Sequence, residues 1–151
     1  MLELEEYVSS VPDEPPDLVL WYEHQIALLR ERRFDELDLA NLIEALEGIV
    51  KCQRRELGSR LTVLLMHLLK CQYQHQRISG SWLGTLSEQR SEIGLLLEES
   101  PSFAPGLMAV ADKVYPAAAR RAADETRLAK STFPTANPYT REQLLDFDFV
   151  P

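Results

Sequence analysis

Residues 39–74, LANLIEALEGIVKCQRRELGSRLTVLLMHLLKCQYQ, carry Leu39, Ile43, Leu46, Val50, Leu57, Leu61, Leu64, Leu65 and Leu68, an apolar stripe spaced mainly in steps of three and four. That spacing is the signature of an amphipathic α-helix. Asp38, immediately before it, is a candidate N-cap. A helix of thirty-odd residues rising 1.5 Å per residue would span on the order of 50 Å. The stretch is therefore expected to form a central spine or to kink near Gly58 and Ser59.

On the N-terminal side, Asp17 can cap a helix to about Arg32. Leu18, Tyr22, Ile26 and Leu29 return at helical spacing there, and Trp21 and Leu28 add a second apolar side. A break at Phe34 to Leu37 separates the two helices. On the C-terminal side, ISGS at 78–81 predicts a turn, with Ser81 capping an antiparallel helix from Trp82 to about Glu99 that turns Leu86, Ile93 and Leu97 inward. Residues 105–127 place Leu107, Val110 or Ala111, Val114, Ala118 and Ala122 on a small-residue face suited to close helix approach, and Pro116 is expected to kink that segment or start a new helix. The last stretch, STFPTANPYTREQLLDFDFVP, predicts one short helix from Thr140 to Leu145, with Phe133, Tyr139, Phe147 and Phe149 packing back. Nothing alternates at period two for long enough to read as a strand. The expected fold is an all-α helical bundle with a long central helix and a Pro-rich C-terminal segment packed over it.

The chain has 151 residues, 45% apolar and 26% charged, a composition that suits one soluble helical domain over 17–151. Before it lies an acidic arm, 1–16, with Glu3, Glu5, Glu6, Asp13 and Glu14, no basic residue, and three prolines. The net charge of −8 disfavours a general nucleic-acid binder or a protein that adheres to anionic membranes. The most apolar run, Leu61 to Leu69, is far short of the roughly 18 residues a membrane span needs. MLELEEYVSS lacks the pattern of a signal peptide, so a cytoplasmic location is expected. Cys52 and Cys71, nineteen apart, form no zinc or redox pair.

Three stretches, LWYEHQIALLRERRFDELDLANLIEALEGI, SRLTVLLMHLLKCQYQHQRISGSWLGTLSEQRSEIGLLLEESPS and ADETRLAKSTFPTANPYTREQLLDFDFVP, resemble the bacterial domain of unknown function 29 family over about residues 17–151. The elements SW…EQR and ETxL…FP…PY…LL carry the resemblance. It implies a small helical protein and attaches no activity. Cys71, His75 and Asn137 depart from the family pattern, which counts against a family-wide role for the first two.

Four sets of residues are candidates for chemistry. Glu23, Glu44, Glu47 and His24 could contribute to a metal site if the first two helices close as a hairpin around Asp35, bringing Glu23 and His24 level with Glu47. The chain contains no Glu-x-x-His, and no cofactor is expected; the competing reading pairs Glu47 with Lys51. Arg90 on a core-facing stripe must be paired, and a His67, Arg90 and Glu88 polar layer between helices is expected. Residues 51–77 hold six basic residues against Glu56, so Arg54, Arg55, Arg60, Lys70 and Arg77 form a candidate contact face for an acidic partner, for nucleic acid with Tyr73 and Trp82 stacking, or for the acidic arm. Cys71 and His75, at i and i+4, could form an activated thiolate pair. The expected function is a non-enzymatic interaction protein, binding a protein partner or its own copy as a homo-oligomer, with exposed apolar surface along Leu57 to Leu69. A metal-dependent helical bundle and a nucleic-acid-associated protein are the alternatives.

Overall fold

Among residues 17–151, which the computed structural model describes, Asp17 starts the first helix; the acidic arm 1–16 lies outside the described residues. Its carboxylate accepts from the Val19 and Leu20 amides, two donors that a helix start leaves without intrahelical partners. Five α-helices follow one another among the described residues: α1 Leu18–Arg30, α2 Leu39–Tyr73, α3 Gly80–Glu99, α4 Leu107–Thr126 and α5 Arg141–Leu145. Short 3-10 turns at Phe34–Glu36, His75–Arg77, Pro101–Gly106 and Lys130–Thr132 link them, and no strand occurs among the described residues. The fold is all-α. Two compact units divide the chain, one up to Ile49 and one from Val50 to Pro151.

In the N-terminal unit, Asp38 organises the approach to α2. Its Oδ2 accepts from Trp21 Nε1 at 3.2 Å and from Asn41 Nδ2 at 2.8 Å, while its own amide donates to Gln25 Oε1 at 2.9 Å. Hydrogen bonds from Asn41, and more weakly from Trp21, hold the Asp38 carboxyl below its ordinary value against partial burial. α1 buries Trp21, Gln25 and Leu28, whereas Leu18, Tyr22, Ile26 and Leu29 are exposed. The apolar side expected as secondary is thus the covered one.

The C-terminal unit is built on the second half of α2. Leu57, Leu61, Leu64, Leu65, Leu68 and Leu69 are buried against Leu86 and Ile93 of α3, Leu107, Ala111, Ala118 and Ala122 of α4, and Phe133, Tyr139 and Leu144 beyond them. Each fully buried leucine is worth about 1.5–3 kcal/mol. α2 continues as helix through Gly58 and Ser59. α4 likewise continues through Pro116, which is exposed. The proline removes one intrahelical donor without starting a new helix, correcting that alternative. The cap of α3 is Ser79 rather than Ser81: its hydroxyl accepts from Trp82 N, so the helix begins two residues earlier than expected. Arg127, at φ 60, ends α4 in the left-handed region, and the Gln74 amide donates to the Thr126 carbonyl there. α5 opens with a Thr140–Gln143 capping box. Phe149 packs on the core, edge-on to Tyr139, but Phe147 is exposed, contrary to its expected place in the packing.

Candidate functional site

The residues that carry the family resemblance are engaged in holding the C-terminal unit together. Lys70 Nζ lies 2.6 Å from Glu125 Oε2 and 4.5 Å from the centre of the Trp82 ring, so its charge is paired on both sides. Tyr139 donates its hydroxyl to Gln72 Oε1, and Tyr115 donates to the Pro134 carbonyl. Burial pushes the Tyr115 phenol up to about 12, keeping it a neutral donor at physiological pH.

Arg90 is only 2% exposed. Its guanidinium donates to the carbonyls of Leu144, Gln143 and Phe149 at 2.9–3.0 Å, clamping the C-terminal segment. Burial pulls it below its ordinary value, and the Asp146 charge opposes that shift. The expected layer of His67, Arg90 and Glu88 is therefore corrected. A buried guanidinium has five donors in a rigid fork, and free backbone carbonyls satisfy that fork better than one imidazole. His67 instead places Nδ1 3.0 Å from the Val63 carbonyl of its own helix.

Burial holds His67 below its ordinary value, so the folded state favours the neutral ring. The unfolded chain binds that proton first as pH falls, and stability must drop below about pH 6.5. Lys70, Glu125 and Arg121 are the charged groups that act on this ring. Urea titrations between pH 7.5 and 5 are expected to show falling unfolding free energy, with a flatter slope in His67→Gln; equal slopes would remove His67 from the account. Next to Arg90, Gln89 is buried and its Oε1 has no hydrogen-bond partner among the described residues. An unpaired buried acceptor costs about 1–3 kcal/mol, so Gln89→Met is expected to raise the unfolding free energy by roughly 1 kcal/mol in the same assay. A loss of stability would show that the amide is satisfied in solution.

The basic residues of 51–77 are divided among different tasks. Arg60 pairs with Glu56 at 2.7 Å and reaches Glu92 at 3.6 Å, and Lys70 is paired with Glu125. Arg77 is exposed in the 75–77 turn. Arg54 and Arg55 line a groove of about 680 Å³ with Lys113 of α4, and none of the three makes an ion pair among the described residues. At 100° per residue Arg54, Arg55, Arg60 and Lys70 do not share one face of α2, and Arg77 lies beyond its end, so the structure does not bring the five into one uncovered stripe.

Glu23, Glu44 and Glu47 are exposed and His24 is half-buried. Asp38, not the later part of α2, lies beside Trp21 and Gln25. Glu47 therefore sits nine residues, about 13 Å, further along the helix axis, which corrects the expected level pairing with Glu23 and His24. Among the described residues no three His, Cys, Asp or Glu side chains are gathered as metal ligands. Cys71 and His75 do not share a helix face, because α2 ends at Tyr73 and His75 opens the next turn. The Cys71 side chain is buried, and that burial pushes its thiol up, which works against a reactive thiolate.

Apolar exposure is reversed relative to expectation. The Leu57 to Leu69 segment forms the core, whereas Leu39, Ile43, Leu46 and Ile49 are 60, 56, 61 and 57% exposed. Sequence reading placed Leu39, Ile43 and Leu46 on the same stripe as the buried leucines but carried no signal that their stretch would stay uncovered.

Fold and site together define a small all-α protein whose buried polar residues fasten the structure and whose uncovered features are an apolar helix face and a basic groove. The family described as "Domain of unknown function DUF29" matches residues 15–150, and the chain belongs to that family. Neither the curated proteins nor the solved structures contain a match. No helix among the described residues is long and apolar enough to cross a membrane.

Proposed function

We propose that the protein acts through self-association, with the first three turns of α2 pairing against the same turns of a second copy. The observation that carries this reading is the exposed stripe Leu39, Ile43, Leu46 and Val50. Its 4-3-4 spacing is that of a coiled-coil seam, with β-branched Ile43 and Val50 at one core position and Leu39 and Leu46 at the other, the combination that favours two strands. Exposed Leu18, Tyr22, Ile26 and Leu29 on α1 and Phe34 add to the apolar surface of the N-terminal unit. Together these side chains expose on the order of 800 Å², about what each partner of a standard-size interface contributes. A monomer seldom leaves a contiguous apolar patch larger than a few hundred Å² in water. A two-fold dimer would cover it with an identical surface.

A native mass spectrum of the untagged full chain, with sedimentation velocity between about 1 and 100 μM, tests this. A species of twice 17.3 kDa that grows with concentration is expected. A single 17.3 kDa species throughout would overturn the reading. The same spectrum reports any co-purified metal or ligand as added mass.

A further inference from the structure

We propose that the groove between α2 and α4 in the C-terminal unit binds a small phosphate monoester carrying an apolar, ring-bearing body. Its volume of about 680 Å³ falls within the roughly 300–1,000 Å³ typical of small-ligand sites. The lining contains Arg54, Arg55 and Lys113 and no carboxylate. Three like charges around one concavity repel each other, and a dianion relieves that repulsion in a way that a neutral or cationic ligand cannot. Arginines suit a phosphate because their planar forks donate two hydrogen bonds to adjacent oxygens.

The rest of the groove selects the body of the ligand. Val110, Val114 and Phe103 supply an apolar wall, and Phe103 offers an aromatic ring. Gly58 keeps the space open: a Cβ there would stand 3.6 Å from Val114 Cγ1, in ordinary contact, so a larger side chain would occupy the groove rather than clash with the backbone. The Thr62 hydroxyl is committed to the Gly58 carbonyl at 2.8 Å, leaving Ser59 and Ser102 as the hydroxyls available to a ligand. A nucleic-acid strand is a poorer fit. It needs a longer track of cations, and further along α2 Arg60 and Lys70 are neutralised by Glu56, Glu92 and Glu125 in a chain of net charge −8.

The test uses the full chain at low salt, titrated with phenyl phosphate, inorganic phosphate and phenol and followed by amide chemical shifts of α2 and α4. Saturable shifts at residues lining the groove are expected for phenyl phosphate, with affinity at least about tenfold above inorganic phosphate and no saturation by phenol. Arg54→Gln with Arg55→Gln should weaken binding by about tenfold or more while the helical signal stays unchanged, since both side chains are exposed. Gly58→Leu, which favours helix and fills the groove, should remove the preference for phenyl phosphate over phosphate. Equal affinity for the two anions, retention of binding in the double arginine variant, or no saturation by phenyl phosphate would each overturn the proposal. The site lies wholly in the C-terminal unit, so it stands or falls separately from self-association.

Discussion

Replacing Arg90 by Met is expected to cost about 3–5 kcal/mol of unfolding free energy, among the largest effects of any single substitution in this chain. The side chain joins α3 to three carbonyls lying 53 to 59 residues later in the sequence, and among the described residues no other side chain holds three carbonyls of the C-terminal segment. Methionine fills a similar volume but donates nothing, so the Leu144, Gln143 and Phe149 carbonyls would lose charge-assisted partners. Each such bond is worth about 1.5–3 kcal/mol, and the three are not additive because one displacement of the segment loses them together. Urea unfolding should give the loss in stability, and limited proteolysis should cut first beyond Gln143. Arg90→Lys is the informative companion. An ammonium keeps the charge but lacks the planar fork, so it should recover only part of the loss. A change under about 1 kcal/mol in Arg90→Met would show that the segment is held by its apolar contacts through Leu144 and Phe149 alone.

Ile43→Glu combined with Leu46→Glu is expected to abolish self-association while leaving the folded chain close to its original stability. Both side chains are more than half exposed, so the single chain loses little buried area. In the paired state the same positions would be central to the seam, where two added carboxylates per chain face two from the partner and must be desolvated. Truncating a central interface side chain costs about 2 kcal/mol or more, and burying unpaired charge adds to this, so the dimer constant should weaken by at least about a hundredfold. Sedimentation velocity should show a single chain at every concentration, and the urea midpoint should become independent of protein concentration. A variant that still associates would place the contact elsewhere. A variant that fails to fold would show that 39–50 is needed within the chain itself; Ile43→Ala with Leu46→Ala, which adds no charge, should then still reduce association if the seam is real.

Much of the architecture was legible because local chemistry writes it directly. Asp17 and Asp38 each precede a helix with a side-chain acceptor able to bind a free amide, and each does so in the structure. The small-residue face of α4 was visible in Ala111, Ala118 and Ala122, all fully buried. One helix start was misplaced, and of the two readings of Pro116, a kink or a new helix, the second did not hold, both for local reasons. Ser79 and Ser81 are equally good caps on paper, and the backbone preceding the helix chose the earlier one. Pro116 reads as a breaker, yet a helix tolerates one lost bond on an exposed face.

The candidate sites were less legible. The need of Arg90 for partners followed from its place on a core stripe, but the partners are backbone carbonyls, and every residue carries one. The cations of 51–77 read as one charge block, while their division into Arg60 and Lys70, which are paired, and Arg54 and Arg55, which line a groove, depends on where Glu92, Glu125 and Lys113 arrive from other helices.

By itself the sequence determined that the chain is all-α, where its main helices run, which face of each is apolar, and the family it belongs to, because helical periodicity, caps and motif residues are local properties. Only the tertiary structure decided which part of the α2 stripe is covered. Leu57 to Leu69 meet α3 and α4 and become core, whereas Leu39, Ile43, Leu46 and Val50, drawn to the same pattern, remain exposed. A period of 3.6 says that a face is apolar and carries no information about what lies against it.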